Sequence, residues 1–281
     1  MIQIITDSTA DLSPELIARY HIHVLPLHIL LGEKEYEDSV NISPDEIYSW
    51  ADENKTTPTT SAPSLESAVE LFRPILADGD EIIAFAISED MSSSANVMRL
   101  AAEELNAKDR IHVINSENLS TGIGHLVIEA AIMAADGKES SEIVKEIEAL
   151  RPRVRASFVV DTLTYLHRGG RCSGLAAIAG GMLRLHPRIA VEDGKMFPGK
   201  KFRGNITRAT MEYVKDMEPA LLSAKPDRVF ITHSGVEEDM IESVRAYLES
   251  LHVFSEILVT RAGGVISSHC GPGTLGVLFI A

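Results

Sequence analysis

The sequence contains one stretch, Arg168-Gly169-Gly170-Arg171, in which two cationic side chains flank a pair of glycines. The planar guanidinium of arginine donates paired hydrogen bonds that suit a carboxylate or a phosphate. The glycines remove side-chain bulk, so that other groups can approach the backbone closely. This stretch predicts an anion-binding loop near the middle of the chain. Because Gly-Gly ordinarily marks a turn, a solvent-exposed turn that carries two arginines is the alternative.

Two loops rich in hydroxyl groups are further candidates for binding an anion. The loop 56–64 contains two prolines, which stiffen it, and it offers the hydroxyls of Thr60 and Ser61 to a ligand. An ordinary solvated linker is the alternative, because such clusters are the usual sign of a loop. The segment Ser92-Ser93-Ser94 comes just before a predicted helix, where free backbone N–H groups favour an anion. Serines are also common helix caps, so a purely structural role is equally open there.

The elements that must position these loops alternate between strand and helix in the first half of the chain. Three short apolar runs, at 2–5, 81–87 and 111–114, predict buried strands that are each followed by polar residues. The segments between them predict helices, and this alternation is typical of a parallel sheet covered by helices. In such sheets, ligands bind at the carboxyl ends of the strands.

The second half of the chain, from about residue 153, has a different pattern. Glu192-Asp193-Gly194-Lys195 predicts a hairpin, and hairpins join antiparallel strands. The fold class predicted is therefore α/β with two domains, 1–152 with a mainly parallel sheet and 153–281 with a mixed sheet. A ligand is expected in the cleft between the domains, where binding sites are common.

Composition excludes several classes of function. The 281 residues carry a net charge of −15, and aromatic residues make up 5%, so neither duplex nor single-stranded nucleic acid is an expected partner. The two cysteines, Cys172 and Cys270, form no Cys-x-x-Cys pair, so no metal site is predicted and a reducing cytosol is favoured. No signal-peptide pattern and no apolar run of about 18 residues occur, and these observations predict a cytoplasmic protein.

The motifs of common enzymes are missing from the sequence. It contains no Gly-x-Ser-x-Gly elbow, no Walker sequence and no Gly-x-Gly-x-x-Gly after a strand. The chemistry of the residues therefore indicates a two-domain α/β protein that binds an anionic small molecule. Two alternatives stay open. One is an enzyme that clamps a phosphorylated or carbonyl substrate with Arg168 and Arg171. The other is an interaction module that docks through Lys200, Lys201 and Arg203.

Four stretches in combination resemble the DegV family, whose fatty-acid-binding members form the carrier subunit of bacterial fatty acid kinase. The stretches span nearly the whole chain in the order found in the family, and they are 6–12, 59–64, 163–173 and 268–276. The family commonly has glutamine where Ala62 stands and Gly-Thr where Ser93-Ser94 stands. These two departures concern the shape of the acyl tunnel and the choice of ligand.

The resemblance implies that one long-chain fatty acid lies buried between the two domains as the ligand, with no cofactor. The residues expected to hold its carboxylate are Thr60, Ser61, Ser92, Ser93 and His269. Arg168 and Arg171 match arginines near the carboxylate end, where the partner kinase approaches, and Arg203 lies in a basic loop similar to one that meets the kinase.

The resemblance also implies how the carrier works with its partners. The kinase subunit brings ATP and converts the presented carboxylate to an acyl phosphate, which serves phospholipid metabolism. The carrier is then no enzyme itself, and it contacts the membrane only transiently, to exchange lipid.

Overall fold

The computed structural model describes residues 1–172 and 185–281, which form an α/β fold. The strands are Ile2–Asp7 (β1), His23–Leu25 (β2), His28–Leu31 (β3), Lys34–Glu37 (β4), Thr59–Ser61 (β5), Glu81–Ala86 (β6), Ile111–Asn115 (β7), Val154–Val159 (β8), Leu185–Glu192 (β9), Lys195–Arg203 (β10), Arg228–His233 (β11), Glu256–Arg261 (β12) and Leu275–Ile280 (β13). The α-helices are Pro14–Arg19 (α1), Pro44–Asn54 (α2), Leu65–Ala77 (α3), Ser94–Glu104 (α4), Thr121–Ala135 (α5), Ser140–Leu150 (α6), Thr164–Gly169 (α7), Ile206–Asp216 (α8), Glu218–Leu221 (α9), Glu238–Ser250 (α10) and Gly264–Cys270 (α11). Short 3-10 turns cover Ser8–Ala10 and Arg151–Arg153.

The first sheet is four-stranded, with the order β2-β1-β6-β7, and all its neighbouring strands are parallel. Helices α3 and α4 cover one face, and α5 and α6 cover the other. The prediction of a mainly parallel first sheet is confirmed. Because the strands are parallel, the loops that follow β1, β6 and β7 lie at one edge of this sheet.

The second sheet is six-stranded and mixed, with the order β10-β9-β8-β13-β11-β12. Only β11 and β12 are parallel neighbours; the other pairs are antiparallel. The predicted hairpin is confirmed, since β9 and β10 pair on either side of Asp193 and Gly194, which both have positive φ. This sheet matches the mixed sheet expected in the second half of the chain.

A small third sheet, with the order β4-β3-β5, departs from the prediction. The run from His23 to Leu31 is mostly apolar and contains Pro26, a pattern that predicts one edge or bent strand, but the structure divides it at Pro26 into β2 and β3, which belong to different sheets. Proline has no backbone N–H to donate, so it interrupts a strand at this point. The hydroxyl-rich loop also contains a strand, β5, which pairs with β3 and places Thr60 opposite Ile29.

Helix α5 lies at the centre of the molecule and joins the two halves. Its residues are buried on nearly every side, and its apolar side chains share one cluster with residues of both large sheets, including Ile83, Phe158 and Phe230. The ring of His125 packs edge-on against Phe230, and its Nε2 lies 3.0 Å from the carbonyl oxygen of Leu278 on β13. The hydrophobic core is therefore continuous across residue 152.

Several predicted loops and helices differ from the structure. The Arg168-Gly169-Gly170-Arg171 stretch is not simply a loop, because Arg168 and Gly169 end α7 and Gly170, with a φ of 68°, caps it. Arg203 ends strand β10 rather than lying in a loop. The segment before Gly271 forms helix α11, which the prediction did not contain.

Two further expectations concern helix ends. The sequence predicts one long helix from residue 205 to about residue 222, but the structure divides this segment into α8 and α9 at Met217, just before Pro219. The sequence also predicts helix caps at Ser13, Ser43, Ser64 and Asn205, and all four are present. The small-residue helix predicted over 175–183 lies outside the described residues. Within the two described ranges, no helix combines the length and the apolar character that crossing a membrane requires.

Candidate functional site

A cavity of about 260 Å³ lies at the carboxyl edge of the first sheet and holds most of the predicted site residues. Its polar lining comes from four separate segments: β5, the loop before α4, helix α11 and the residues after α7. The polar lining residues are Thr60, Ser61, Ser92, Ser93, Arg171 and His269. All five residues that were expected to hold a carboxylate therefore line one cavity, although up to 209 positions separate them along the chain.

Thr60 and His269 form the only direct side-chain bond between these segments in the part of the chain that the structure describes. The Thr60 Oγ1 atom lies 2.8 Å from Nε2 of His269. Thr60 of strand β5 is partly buried and lines the cavity, whereas its neighbour Thr59 is exposed and does not line it. His269 lies in the last turn of α11 and is partly buried.

The surroundings of His269 fix the state of its ring. Burial, and to a smaller extent the positive charge of Arg171, lower the pKa of His269 from 6.5 to about 4. Its Nδ1 is buried against Gly169 with no hydrogen-bond partner among the described residues. A buried N–H without a partner costs more than a buried lone pair, so the neutral ring carries its proton on Nε2. His269 then donates to Thr60, and the Thr60 hydroxyl is left to donate into the cavity.

We expect His269 to remain neutral throughout the physiological pH range. An ¹⁵N titration of the imidazole by NMR should show a midpoint near pH 4, with the proton on Nε2 above it. Because the folded-state pKa lies below the ordinary value of 6.5, the contribution of the neutral ring to stability is complete above about pH 6.5. That contribution is lost as the pH falls towards 4. A midpoint near 6.5 would show that the ring is solvated and would contradict this arrangement.

The serine segment contributes hydroxyls in a different way. The Ser92 hydroxyl lies 3.0 Å from that of Ser94, whose side chain in turn donates to the buried carboxylate of Asp7. The hydroxyls of Ser61 and Ser93 form no hydrogen bond to any residue of the described ranges. They are therefore available to a ligand. Burial raises the pKa of Asp7 to about 6, although bonds from Thr9, Ile87 and Ser94 oppose this shift.

Two further buried carboxylates hold the beginning of α11 and so set the position of His269. Asp11 accepts from the backbone N–H of Gly263 at 2.7 Å, and Asp38 accepts from that of Gly264 at 2.6 Å. Burial raises the pKa of Asp11 to about 8 and also raises the pKa of Asp38. Hydroxyl groups of Ser120 and Ser8, respectively, donate to these two carboxylates. Helix α11 is thus fixed to the first half of the chain.

The structure separates the three predicted arginines. Only Arg171 lines the cavity, and its Nη1 also donates to the carbonyl oxygen of Gly169 at 2.6 Å. Arg168 instead lines a neighbouring open cavity of about 340 Å³, together with His167. Arg203 lies opposite Leu185, which lines that second cavity. The arginines therefore do not form a single clamp around one anion.

The apolar lining of the first cavity was not anticipated residue by residue. It consists of Leu27, Ala62, Ile87, Met91, Leu119, Met196, Val265, Ile266 and Cys270. Met196 reaches the cavity from strand β10, which only the three-dimensional pairing could reveal. The other contributors follow strand ends or lie on α11, and an apolar residue at the end of a predicted strand, such as Ile87, was the available signal.

A narrow space of about 20 Å³ adjoins this cavity. Leu119, Ile266 and Cys270 line both, and the narrow space reaches Phe158 and Leu278 in the second sheet. The first cavity thus offers hydroxyls and a guanidinium, while the adjoining space exposes mainly apolar surface, although Ser120, Thr232, His233, Ser234 and Thr274 also belong to its lining. This arrangement suits an amphipathic anion with a long apolar tail.

Comparisons with known proteins agree with this description. A DegV domain-containing protein of Caldanaerobacter subterraneus is 34% identical over 280 residues, which cover 99% of this chain and 98% of that protein. The structure titled as fatty acid binding of a DegV family protein from Thermus thermophilus superposes with a TM-score of 0.91 at 32% identity, covering 100% of this chain and 99% of that one. A stearic acid-binding protein from Eubacterium ventriosum superposes with a TM-score of 0.87 at 27% identity, covering 100% and 98% of the two chains.

The match to a family extends over the whole chain. The family model described as "Uncharacterised protein, DegV family" matches residues 1–281. The resemblance drawn from four short motifs is thereby confirmed. This chain belongs to the DegV family.

Proposed function

We propose that this protein binds one long-chain fatty acid in the cavity between the domains 1–152 and 153–281. The observation that carries the proposal is a cavity with hydroxyl donors that adjoins a narrow, mainly apolar space. Structural neighbours that bind fatty acids, at 27% to 32% identity over nearly the full chain, support the same ligand.

In this proposal the carboxylate lies among Thr60, Ser61, Ser92, Ser93 and His269. A buried carboxylate without donors would cost several kcal/mol, so the converging hydroxyls are what allow it to bind. His269 holds the Thr60 hydroxyl in a donating orientation, and Arg171 supplies a positive charge at the same end. Burial of the acyl chain contributes about 0.8 kcal/mol for each methylene group that leaves water.

The carboxylate end faces the region from which a partner would approach. Arg171 is exposed, and Arg168 lines the adjacent open cavity. We propose that an ATP-dependent kinase subunit docks on this region, with Arg203 at its margin, and converts the carboxylate to an acyl phosphate. The carrier supplies no catalytic group and no cofactor in this scheme. It acts in the cytoplasm, and it contacts the membrane only to exchange lipid.

Mass spectrometry of the purified protein tests the binding proposal most directly. The mass of the native protein, and the lipid recovered from it by solvent extraction, should reveal one long-chain fatty acid per chain. A protein that carries no lipid and takes up none on incubation would contradict the proposal. The kinase step is tested separately, by looking for acyl phosphate after the loaded carrier, ATP and a fatty acid kinase subunit are mixed.

The contact between Gly169 and His269 provides a further prediction. A Cβ at position 169 would lie 2.4 Å from Nδ1 of His269, so Gly169→Ala should displace the ring and break its bond to Thr60. We expect fatty-acid affinity to fall by about tenfold, the equivalent of one hydrogen bond to a charged group. Competitive displacement of a fluorescent fatty acid measures this change. Gly199→Ala is the matched control, because its nearest neighbour would be 3.6 Å away; equal losses in both variants would refute the explanation.

A further inference from the structure

A second cavity, of about 520 Å³, lies where the loop after β7 meets the beginning of β8 and the end of β9. It shares no lining residue with the proposed fatty-acid cavity. Three arginines line it: Arg151, Arg155 and Arg188. A guanidinium stays protonated at any physiological pH, so the cavity carries these three positive charges permanently.

Arg188 is the least satisfied of the three. It lies on β9 opposite Val159 and is partly buried. Its Nε has no access to solvent, and its guanidinium makes no hydrogen bond or ion pair to the residues described at 1–172 and 185–281. Buried polar groups in proteins are nearly always paired, so a donor that is left without a partner inside a cavity indicates a place for a ligand.

The other two arginines differ in their partners. Arg151 donates to the carbonyl oxygen of Asn115 at 3.0 Å, and its Nε lies 3.4 Å from the carboxylate of Glu117. Arg155 donates only to the backbone carbonyls of residues 152 and 154. The Glu117 carboxylate is therefore engaged by Arg151, while Arg155 and Arg188 have no carboxylate partner within the described ranges.

The remaining acidic side chains lie at the mouth of the cavity. Glu192 and Asp193, at the end of β9, are both exposed, so solvent screens them from the interior. Ser157 and Ala190 are direct partners on neighbouring strands and line the cavity, as does Met217, whose sulfur lies 3.4 Å from the Ser157 hydroxyl. The cavity thus combines open volume with the partly buried Arg188 and the exposed Arg155, and neither has a carboxylate partner within the described ranges.

We propose that this cavity binds a small phosphorylated molecule, whose phosphate group is held by Arg188 and Arg155. A phosphate monoester carries a charge of about −1.5 to −2 at neutral pH, which matches the charge of the two guanidinium groups that have no carboxylate partner. Arginine forms paired hydrogen bonds to phosphate oxygens, and this geometry selects phosphate or carboxylate over a simple halide. The site is independent of the fatty acid, because the two cavities have no residue in common.

Isothermal titration with inorganic phosphate, at constant ionic strength, tests this site in the full-length protein. We expect saturable binding with one site per chain and weaker binding of acetate. Arg188→Gln and Arg155→Gln should each weaken phosphate binding by at least about tenfold, as expected for the loss of charge-assisted hydrogen bonds. Arg208→Gln is the matched control, because Arg208 is an exposed arginine on α8 and should leave binding unchanged within about twofold.

The same variants separate this site from the fatty-acid cavity. Arg188→Gln and Arg155→Gln should retain the full lipid content of the parent protein, measured by mass spectrometry after extraction. Arg155 is exposed, so its replacement keeps the test valid even if Arg188→Gln folds poorly. The proposal is overturned if the parent protein shows no saturable phosphate binding. It is also overturned if Arg155→Gln and folded Arg188→Gln bind phosphate as tightly as the parent does.

Discussion

Replacing Thr60 with valine should lower the affinity for a long-chain fatty acid by about 10- to 100-fold, the range expected when one hydrogen bond to a charged group is lost. Valine has nearly the shape of threonine but no hydroxyl. The variant therefore loses the hydroxyl that His269 orients towards the carboxylate through a hydrogen bond of 2.8 Å between Nε2 and Oγ1. The volume of the cavity does not change. Competitive displacement of a fluorescent fatty acid gives the ratio of affinities.

Thr59→Val is the matched control for this experiment. Thr59 precedes Thr60 in the same strand but is exposed and does not line the cavity, so its hydroxyl should make no contact with the ligand. We expect the affinity of Thr59→Val for the fatty acid to equal that of the parent protein within about twofold, since substitutions of exposed residues rarely change free energies by more than about 0.5 kcal/mol. Equal affinities for the parent and the Thr60 variant would show that the carboxylate binds elsewhere.

Glu129→Gln should lower the free energy of unfolding by about 3 kcal/mol, the cost expected when one partner of a buried ion pair is removed. The Glu129 carboxylate on α5 lies 2.5 Å from Arg228 and 2.8 Å from Lys225, both outside the first half of the chain. The side chain of Arg228 is only 6% exposed. Its charge would therefore remain buried without a carboxylate. Urea unfolding followed by circular dichroism measures the change.

Glu212→Gln provides the comparison with an exposed ion pair. Glu212 pairs with Arg208 one turn away on α8, and the side chains are 42% and 72% exposed. Solvent screens such a pair, so its loss should cost no more than about 0.5 kcal/mol. If the two variants unfold at the same urea concentration, the contact between α5 and β11 does not contribute to stability as argued.

Local patterns in the sequence were sufficient to predict the layers and many of the element ends. Ser43, for example, forms both bonds of the expected capping box with Glu46, because these contacts involve residues only three apart. The alternation of apolar strands with helices likewise determined the parallel sheet. These predictions succeeded because the interactions that decide them are close in sequence.

Predictions failed where partners distant in sequence decide the local structure. At the beginning of helix α11, two glycine N–H groups donate hydrogen bonds to the carboxylates of Asp11 and Asp38. Neither acid is near the helix in the sequence. No pattern within the helix itself indicates that it forms. Similarly, Thr59–Ser61 is a strand only because β3 lies beside it. Met196 could not be assigned to the cavity for the same reason.

The hydroxyls of Thr60, Ser61, Ser92 and Ser93 were candidates from residue type alone, but His269 and the grouping of all five residues came from the family resemblance. Spacing alone could not indicate that Thr60 and His269 would meet, since 209 positions separate them. The structure brings Thr60, Ser61, Ser92, Ser93 and His269 to one cavity, and ligand binding by each of them remains a prediction. Arg171 lines the same cavity and Arg168 lines a neighbouring one, and the roles of Arg168, Arg171 and Arg203 at the carboxylate end or towards a partner also remain predictions.

The position of β13 in the second sheet has a consequence for synthesis on the ribosome. This strand follows β8 and β11 in the sequence, yet it lies between them and pairs with both. The two parts of the sheet therefore cannot join until residues 275–280 have left the exit tunnel. Until then, the apolar side of α5 that packs on β13 stays uncovered. The nascent chain thus exposes this part of its future core until β13 has emerged, and chaperones that recognise apolar surface have time to bind it.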